Sequence, residues 1–378
     1  MLPIALTESL KSEALRLGFD LAGACPAVTP PGLDGFRQWL AAGYAGRMEY
    51  FAQRAEAYEH PRHVLDGVRS LLVLATNYRT QSPQPPGPGQ GSISRYAWGH
   101  DYHDTIRRRL HQLCDFHRQL VPEAKIRGVI DTAPLLERPF AQLAGLGWVG
   151  KNTLLLNQRL GSWFFLAVLL TSETLEYDPP ATVNHCGTCR ACLDACPTGA
   201  LVAPYRLDAR KCISYLTVEL RAPIPQPLRS LQGQWLLGCD ICQEVCPWNH
   251  RVPASDEPTF QPLPGTNPIA LAELLALDET AFRQRFRHTT LTRPKRGAVL
   301  RSAAIALGNR PDPSAFAALA RGLEDSDPLV RGACAWALGR FPTVAARDAL
   351  LRRQAAESDP AVQEEITQAL KERMKDEG

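Results

Sequence analysis

The stretch CGTCRACLDACP, Cys186 to Pro197, decides how this chain is read. Its cysteines stand at Cys186, Cys189, Cys192 and Cys196, and Pro197 follows the last of them. This is the bacterial ferredoxin run, in which three thiolates hold one iron–sulfur cubane and the fourth turns away to another. A second stretch, CDICQEVCP from Cys239 to Pro247, ends in the same way but has one cysteine fewer. Cys212, lying between the two, can supply it, which gives the thiolates that two [4Fe–4S] clusters require. The spacing assigns Cys186, Cys189, Cys192 and Cys246 to one cluster, and Cys196, Cys212, Cys239 and Cys242 to the other. Zinc is the rival occupant, but it favours two separated CxxC pairs per site rather than a triple run closed by CysPro. Cys25, Cys114 and Cys334 stand alone and are expected to be small buried hydrophobes.

The rest of the chain sets the context. With 378 residues and 45% hydrophobic content it is long enough for two or three domains with well-buried cores. A net charge of +3 says little about partners, so local clusters must carry that argument. The longest apolar run, Trp163 to Leu170, falls far short of the roughly 20 residues of a spanning helix. No basic start followed by an apolar stretch marks a secretory or twin-arginine signal. A cytoplasmic, reducing compartment without membrane attachment is therefore expected, where spaced cysteines mean metal rather than disulfides. Two adjacent clusters imply one-electron traffic, and the remaining chain is too long for a simple carrier.

Three segments are expected. Residues 1–180 read as mixed α/β (α+β), with a helix over Thr7–Leu17 and another over Leu135–Leu146. Apolar runs at Ser70–Tyr78, Ile126–Ile130 and Trp163–Leu170 read as strands, and Gln81–Gly91 as a surface loop. Residues 181–255 form the ferredoxin-like part. Residues 256–378 read as all-α, with helix near Ile269–Phe286 and a weak repeat beyond it. RSAAIALGN (Arg301–Asn309) resembles RGACAWALGR (Arg331–Arg340), and Asp327-Pro-Leu-Val330 resembles Asp359-Pro-Ala-Val362. Ala-rich helices at this spacing suggest a HEAT-like solenoid, against the plainer reading of a helical appendage.

Gly145-Leu-Gly-Trp-Val-Gly-Lys-Asn152 fits two nucleotide-binding patterns and satisfies neither. A phosphate loop needs Ser or Thr after the lysine, and both motifs need a strand before the glycines where a helical pattern stands here. These glycines instead let the backbone turn tightly or approach a ligand.

Several stretches together resemble one family: SRYAWGHDYH (Ser94–His103), VIDTAP (Val129–Pro134), GLGWVGKNT (Gly145–Thr153), GSWFF (Gly161–Phe165), both cysteine runs and the arginine-bearing repeat. In this order, over nearly the whole chain, they are similar to the epoxyqueuosine reductases, departing slightly at Ala133 and His100. The resemblance implies an N-terminal cobalamin-binding catalytic domain, the two-cluster domain, and C-terminal repeats that hold tRNA. It implies reduction of epoxyqueuosine to queuosine at the wobble position of tRNAs with a GUN anticodon. An external low-potential electron donor and a monomeric enzyme are implied as well. Two other readings share features of the chain: a cobalamin-dependent reductive dehalogenase, and a non-catalytic electron carrier or scaffold.

Removing an epoxide oxygen takes two electrons and two protons. A buried carboxylic acid whose pKa is raised by desolvation can supply a proton. Asp131, at the end of an apolar strand, matches the family's proton donor, although an Asp before Thr-Ala-Pro also suits a turn or helix cap. The resemblance further implies cobalamin contacts from Arg54, Tyr96, Ala97, Asp131, Ser214, Cys239 and Asp240. Plainer roles are a solvated charge for Arg54, a helix cap for Ser214 and a loop hydrogen bond for Asp240. Arg293, Lys295, Arg296, Arg301 and Arg310 concentrate positive charge where the repeat begins. They are expected to contact RNA phosphates, the alternative being solubilising surface charge.

Overall fold

A computed structural model describes residues 2–376, which divide into two compact units that the chain enters more than once. The first unit comprises residues up to 81, 101–210 and 241–260; the second comprises 82–100, 211–240 and 261 onward.

The core of the first unit is a four-stranded antiparallel sheet in the order Leu21–Pro26, Ser70–Asn77, Phe164–Thr171, Ile126–Val129. The strand SLLVLATN is apolar throughout because it is central and covered on both faces, so every one of its residues is buried. Leu71 pairs with Leu170 and Val73 with Val168, and these four side chains join a core closed by Phe140 and Leu160. Helices Pro3–Arg16 and Tyr102–Leu120 pack against one another. The helix expected over Leu135–Leu146 is confined to Glu137–Leu143, because Gly145 at φ 76° ends it. Cys25, Cys114 and Cys334 are buried, as their isolation in the sequence suggested.

In the second unit, strand Gln90–Ile93 lies between Trp235–Leu237 and Ile269–Ala270, so the expected surface loop ends one residue before Gln90. Beyond it run helices Lys295–Asn309, Phe316–Gly322, Pro328–Gly339, Val344–Ala356 and Pro360–Asp376. The repeated Asp-Pro pairs have one physical job. Asp327 caps its helix by accepting from the Leu329 amide at 2.9 Å, and Asp359 accepts from the Ala361 amide at 2.9 Å, each with Pro as the first helical residue. The repeated glycine is a packing device. A Cβ on Gly308 would sit 2.9 Å from Ala337 Cα, so these helices cross at backbone distance. Among the described residues, no helix is long and apolar enough to cross a membrane.

Candidate active site

The two cysteine runs carry short helices, Ala191–Ala195 and Ile241–Glu244, which pack together within the first unit. Cys246 is buried against Trp148, Leu156, Cys186 and Trp248. The two indoles meet edge to face with centroids 5.1 Å apart. Burial pushes the Cys192 thiol up, and Cys246, Cys186 and Cys189 push it further; Cys246 is raised by burial and again by Cys186 and Cys189. Four thiols are thus gathered within electrostatic reach of one another, where several thiolates repel unless a cationic group lies among them. The Trp148 indole N–H, buried and without a hydrogen-bond partner, adds a donor beside the same cysteines. That donor set fits an iron–sulfur cubane. Cys196 also lies in this unit. Burial opposes its ionisation, but Thr198 and the amides of Ala200 and Leu201 outweigh it and hold the thiol below the ordinary range. Cys242 shares the first unit, whereas Cys212 and Cys239 belong to the second.

The glycine stretch braces the cysteine loops. Gly145–Gly150 leads into a hairpin of Trp148–Val149 with Leu155–Leu156. A Cβ on Gly147 would lie 2.0 Å from the Leu156 carbonyl oxygen, so only glycine fits. Lys151 Nζ donates to the carbonyls of Gly187 at 2.5 Å and Cys189 at 2.8 Å, and Asn152 Nδ2 reaches the Cys242 carbonyl at 3.5 Å. This stretch is therefore tied to both cysteine runs.

Asp131 follows strand Ile126–Val129 in a left-handed conformation, φ 55°, which Asp tolerates better than most residues. It is not the desolvated acid expected, since its side chain is 41% exposed. It sits instead in a network. Tyr102 Oη donates to Asp131 Oδ2 at 3.1 Å, and His103 Nε2 lies 3.4 Å from the same oxygen. Asp131's own amide donates to Glu137 Oε1 at 3.0 Å. Glu137 is the carboxyl with the raised pKa: burial first, then the nearby Asp131 charge, push it up to about 8. His103 moves the other way from the usual buried histidine. Burial opposes its charge, yet hydrogen bonds to Asp101 and Asp131 prevail and raise it to about 9. None of Asp101, Tyr102, His103 and Glu137 was singled out from the sequence. The readable signal was Asp101 as a helix N-cap, and it does accept from the His103 amide at 3.0 Å.

Arg54 lies in the first unit. It lines a polar cavity of about 240 Å³ with Arg107, His111, Arg127, Ile130 and Thr132–Pro134. The cationic lining suits amide- or phosphate-bearing groups of a corrinoid. In the second unit, Asp240 is 2% exposed and committed. It accepts from Ser94 Oγ at 2.5 Å and from the Arg95 amide at 2.7 Å, fixing the turn that carries Tyr96 and Ala97. Ser214 is not a helix cap, because Cys212 holds the N-cap position of Ile213–Val218.

The basic cluster is split by the structure. Arg301 is 1% exposed and donates to the carbonyls of Leu216, Leu220 and Ala222, so it is a packing residue and the phosphate expectation for it is withdrawn. Arg296 is likewise engaged, by both carboxylate oxygens of Asp325 and the Leu277 carbonyl. Lys295 and Arg310 are exposed, the latter donating to the Pro86 carbonyl at 3.0 Å; Arg293 lies 3.0 Å from Glu219 and is 46% exposed.

Gathered thiols, a carboxylate–imidazole network and a helical repeat define an iron–sulfur oxidoreductase with an appended HEAT-like module. Comparison with known proteins gives the family. Residues 59–132 match the family described as epoxyqueuosine reductase QueG, DUF1730; residues 185–249 match the 4Fe-4S double cluster binding domain; residues 290–371 match HEAT repeats. The epoxyqueuosine reductase of Pseudomonas aeruginosa is 41% identical over 344 residues, covering 89% of this chain and 95% of that one. A crystal structure of an epoxyqueuosine reductase with an epoxyqueuosine-modified tRNA-Tyr stem loop superposes with TM-score 0.92 at 31% identity, over 98% of this chain and 99% of that one. The Bacillus subtilis epoxyqueuosine reductase, with its catalytic loop swung out of the active site, gives 0.91 at 31% identity over 97% and 99%. The chain belongs to the epoxyqueuosine reductases. Membership sets aside the dehalogenase and carrier readings.

Proposed function

We propose that this chain binds tRNAs with a GUN anticodon and reduces their wobble epoxyqueuosine to queuosine, with Asp131 delivering a proton to the departing epoxide oxygen. The carrying observation is the Asp131 carboxylate, solvent-accessible on its loop yet gripped by Tyr102 and facing His103. An epoxyqueuosine reductase uses two [4Fe–4S] clusters and cobalamin. When bound, they supply low-potential electrons one at a time and a strongly reducing cobalt centre. Cys186, Cys189, Cys192 and Cys246 would hold one cluster, as their proximity supports; Cys196, Cys212, Cys239 and Cys242 would hold the second, a set read from spacing. Arg54, Tyr96, Ala97, Ser214 and the Cys239–Asp240 stretch would meet the cobalamin, Asp240 by fixing the Tyr96–Ala97 turn. Arg293, Lys295 and Arg310 would contact tRNA phosphates.

Residues 1–180 then serve as the cobalamin-binding catalytic domain, 181–255 as the two-cluster domain and 256–378 as the tRNA-holding repeat. The enzyme works in the cytoplasm as a monomer fed by an external low-potential donor. The test is reconstitution with iron, sulfide and cobalamin, followed by reduction of tRNA from a strain lacking the enzyme, read by nucleoside analysis. Queuosine should form, and Asp131→Asn should abolish it while iron content and cobalamin absorbance stay unchanged. Undiminished turnover in that variant would remove Asp131 from the mechanism.

A further inference from the structure

Converting an epoxide to an alkene and water consumes two electrons and two protons, and both protons must reach one oxygen. Asp131 can carry one of them at a time. We propose that His103 is the proton store behind Asp131: its Nε2–H reloads Asp131 Oδ2 between the two protonations, while Asp101 holds the ring charged and aligned. The inference rests on Asp131 being the donor to substrate; His103 acts through it and need not touch the epoxide.

The geometry gives each ring nitrogen a carboxylate of its own. Nδ1 lies 2.7 Å from Asp101 Oδ1, and Nε2 lies 3.4 Å from Asp131 Oδ2. A ring placed between two carboxylates is stabilised as imidazolium, and a small tightening in the substrate complex brings the longer contact to transfer distance. The ring cannot readily turn out of this alignment. It is stacked on Tyr102 with centroids 4.1 Å apart, and Tyr102 is stacked on Phe165 at 3.9 Å and 9°. Asp101 is fixed in turn, because its carboxylate also caps the helix through the His103 amide. Only 15% of the His103 side chain is exposed, so bulk water does not swamp the relay.

Other charged groups face the same point. Glu137 is pushed up to about 8, so near neutrality it is mostly protonated and adds little negative charge beside Asp131. Arg138 and His103 bear on Glu137, Arg107 bears on Asp101, and Tyr58 lies within electrostatic reach of Arg54, Glu137 and Asp131. Tyr102 Oη, donating to the oxygen that His103 addresses, steadies the carboxylate after its proton has left.

The sequence of events balances. The Asp131 O–H protonates the epoxide oxygen as the first C–O bond breaks. The His103 Nε2–H then passes to Asp131. The second protonation releases the oxygen as water when the remaining C–O bond breaks and the alkene forms. Two electrons arrive one at a time from the low-potential donor through the clusters. After each turnover solvent returns two protons, one to His103 and one, directly or through His103, to Asp131.

The test uses reconstituted holoenzyme and epoxyqueuosine-containing tRNA, with kcat and KM measured from about pH 6 to 10. His103→Gln should lower kcat about 100-fold. It should leave KM, iron content and cobalamin absorbance near wild type, and abolish the alkaline limb that the wild type shows near about 9. Asp101→Asn keeps the ring but removes one carboxylate, so its limb should move acidward. His103→Ala should regain activity with added imidazole. Independently of turnover, the His103 ring followed by nitrogen NMR should titrate near about 9 in the wild type and lower in Asp101→Asn. An active wild type together with a His103→Gln variant of equal kcat and unchanged pH limb overturns this proposal and leaves the function standing. An ordinary imidazole midpoint near about 6.5 overturns it as well. A wild type that never forms queuosine overturns the function, and this relay with it.

Discussion

Arg301→Met separates packing from RNA binding. Methionine keeps much of the aliphatic stem but removes the guanidinium that donates to the carbonyls of Leu216 at 2.5 Å, Ala222 at 2.6 Å and Leu220 at 2.8 Å. A buried carbonyl left without its donor costs about 1–3 kcal/mol. The Leu216 and Leu220 carbonyls belong to buried residues, while Ala222 is half-buried and can recruit water. Part of the loss is offset, because burial, with Arg221 and Arg229 nearby, pushes Arg301 down to about 9 and the variant no longer buries that charge. The net expectation is a loss of about 2–4 kcal/mol, hence roughly 3–5 °C in Tm for a chain of this length. Thermal unfolding of the holoenzyme reads this directly. Its tRNA affinity, measured at a temperature where it is folded, should keep the wild-type salt dependence. Lys295→Ala should do the opposite: stability within about 0.5 kcal/mol of wild type and a log–log salt slope shallower by about one. An Arg301→Met protein with unchanged Tm and a reduced salt slope would refute the packing argument and restore the residue to the RNA surface.

Two other predictions concern the first unit. Glu137 has a folded pKa above its ordinary 4.5, so its contribution to stability is full below about 4.5 and is lost as pH rises through about 8. The full shift at ~1.36 kcal/mol per unit sets a ceiling of roughly 5 kcal/mol; solvent access to this half-buried side chain reduces it to about 2. Glu137→Gln should therefore gain on the wild type in Tm between about pH 5 and 8 and hold its lead above that; parallel Tm–pH curves would count against the raised carboxyl. Trp148→Phe keeps an aromatic ring against Cys246 but removes the buried indole N–H. Donors to cluster sulfur favour the reduced form, so one cluster potential should fall by on the order of tens of millivolts in a spectroelectrochemical titration. Two unshifted potentials would mean that the indole points elsewhere.

The parts of this fold legible in the sequence are those set by local chemistry. Ser70–Asn77 announced itself because a central strand covered on both faces must be apolar along its whole length. Asp327 and Asp359 were visible as a repeat because a helix start needs a cap acceptor and tolerates proline next to it. The ferredoxin runs were legible because cluster ligation imposes spacing directly. What the sequence concealed depends on residues far apart in the chain. Arg301 looks like any surface arginine until the carbonyls about eighty residues earlier close around it. Lys151 carries the appearance of a phosphate-loop lysine, and only the position of Gly187 and Cys189 reveals it as a brace. Asp131 was found by its place in a motif, but its environment was misjudged, because a left-handed residue at a strand end leaves its side chain in the open.

That misjudgement changes the chemistry. A lone acid depends on burial to hold a proton near neutrality, and burial would also hinder the approach of a bulky nucleotide. Here the two needs are met by different residues. Asp131 is accessible to substrate, while the groups that retain protons lie behind it: Glu137 kept neutral by burial and by its neighbour's charge, and His103 kept charged by the carboxylates on either side. An imidazole with raised proton affinity, adjoining one exposed carboxylate, forms a store from which that carboxylate is reloaded for its second protonation, while the neutral Glu137 spares the pair a further negative charge. Epoxide removal makes that demand, since each turnover consumes two protons at one oxygen while electrons arrive singly. An Asp131 buried in apolar surroundings could hold the first proton as well, but no charged neighbour would be placed to replace it.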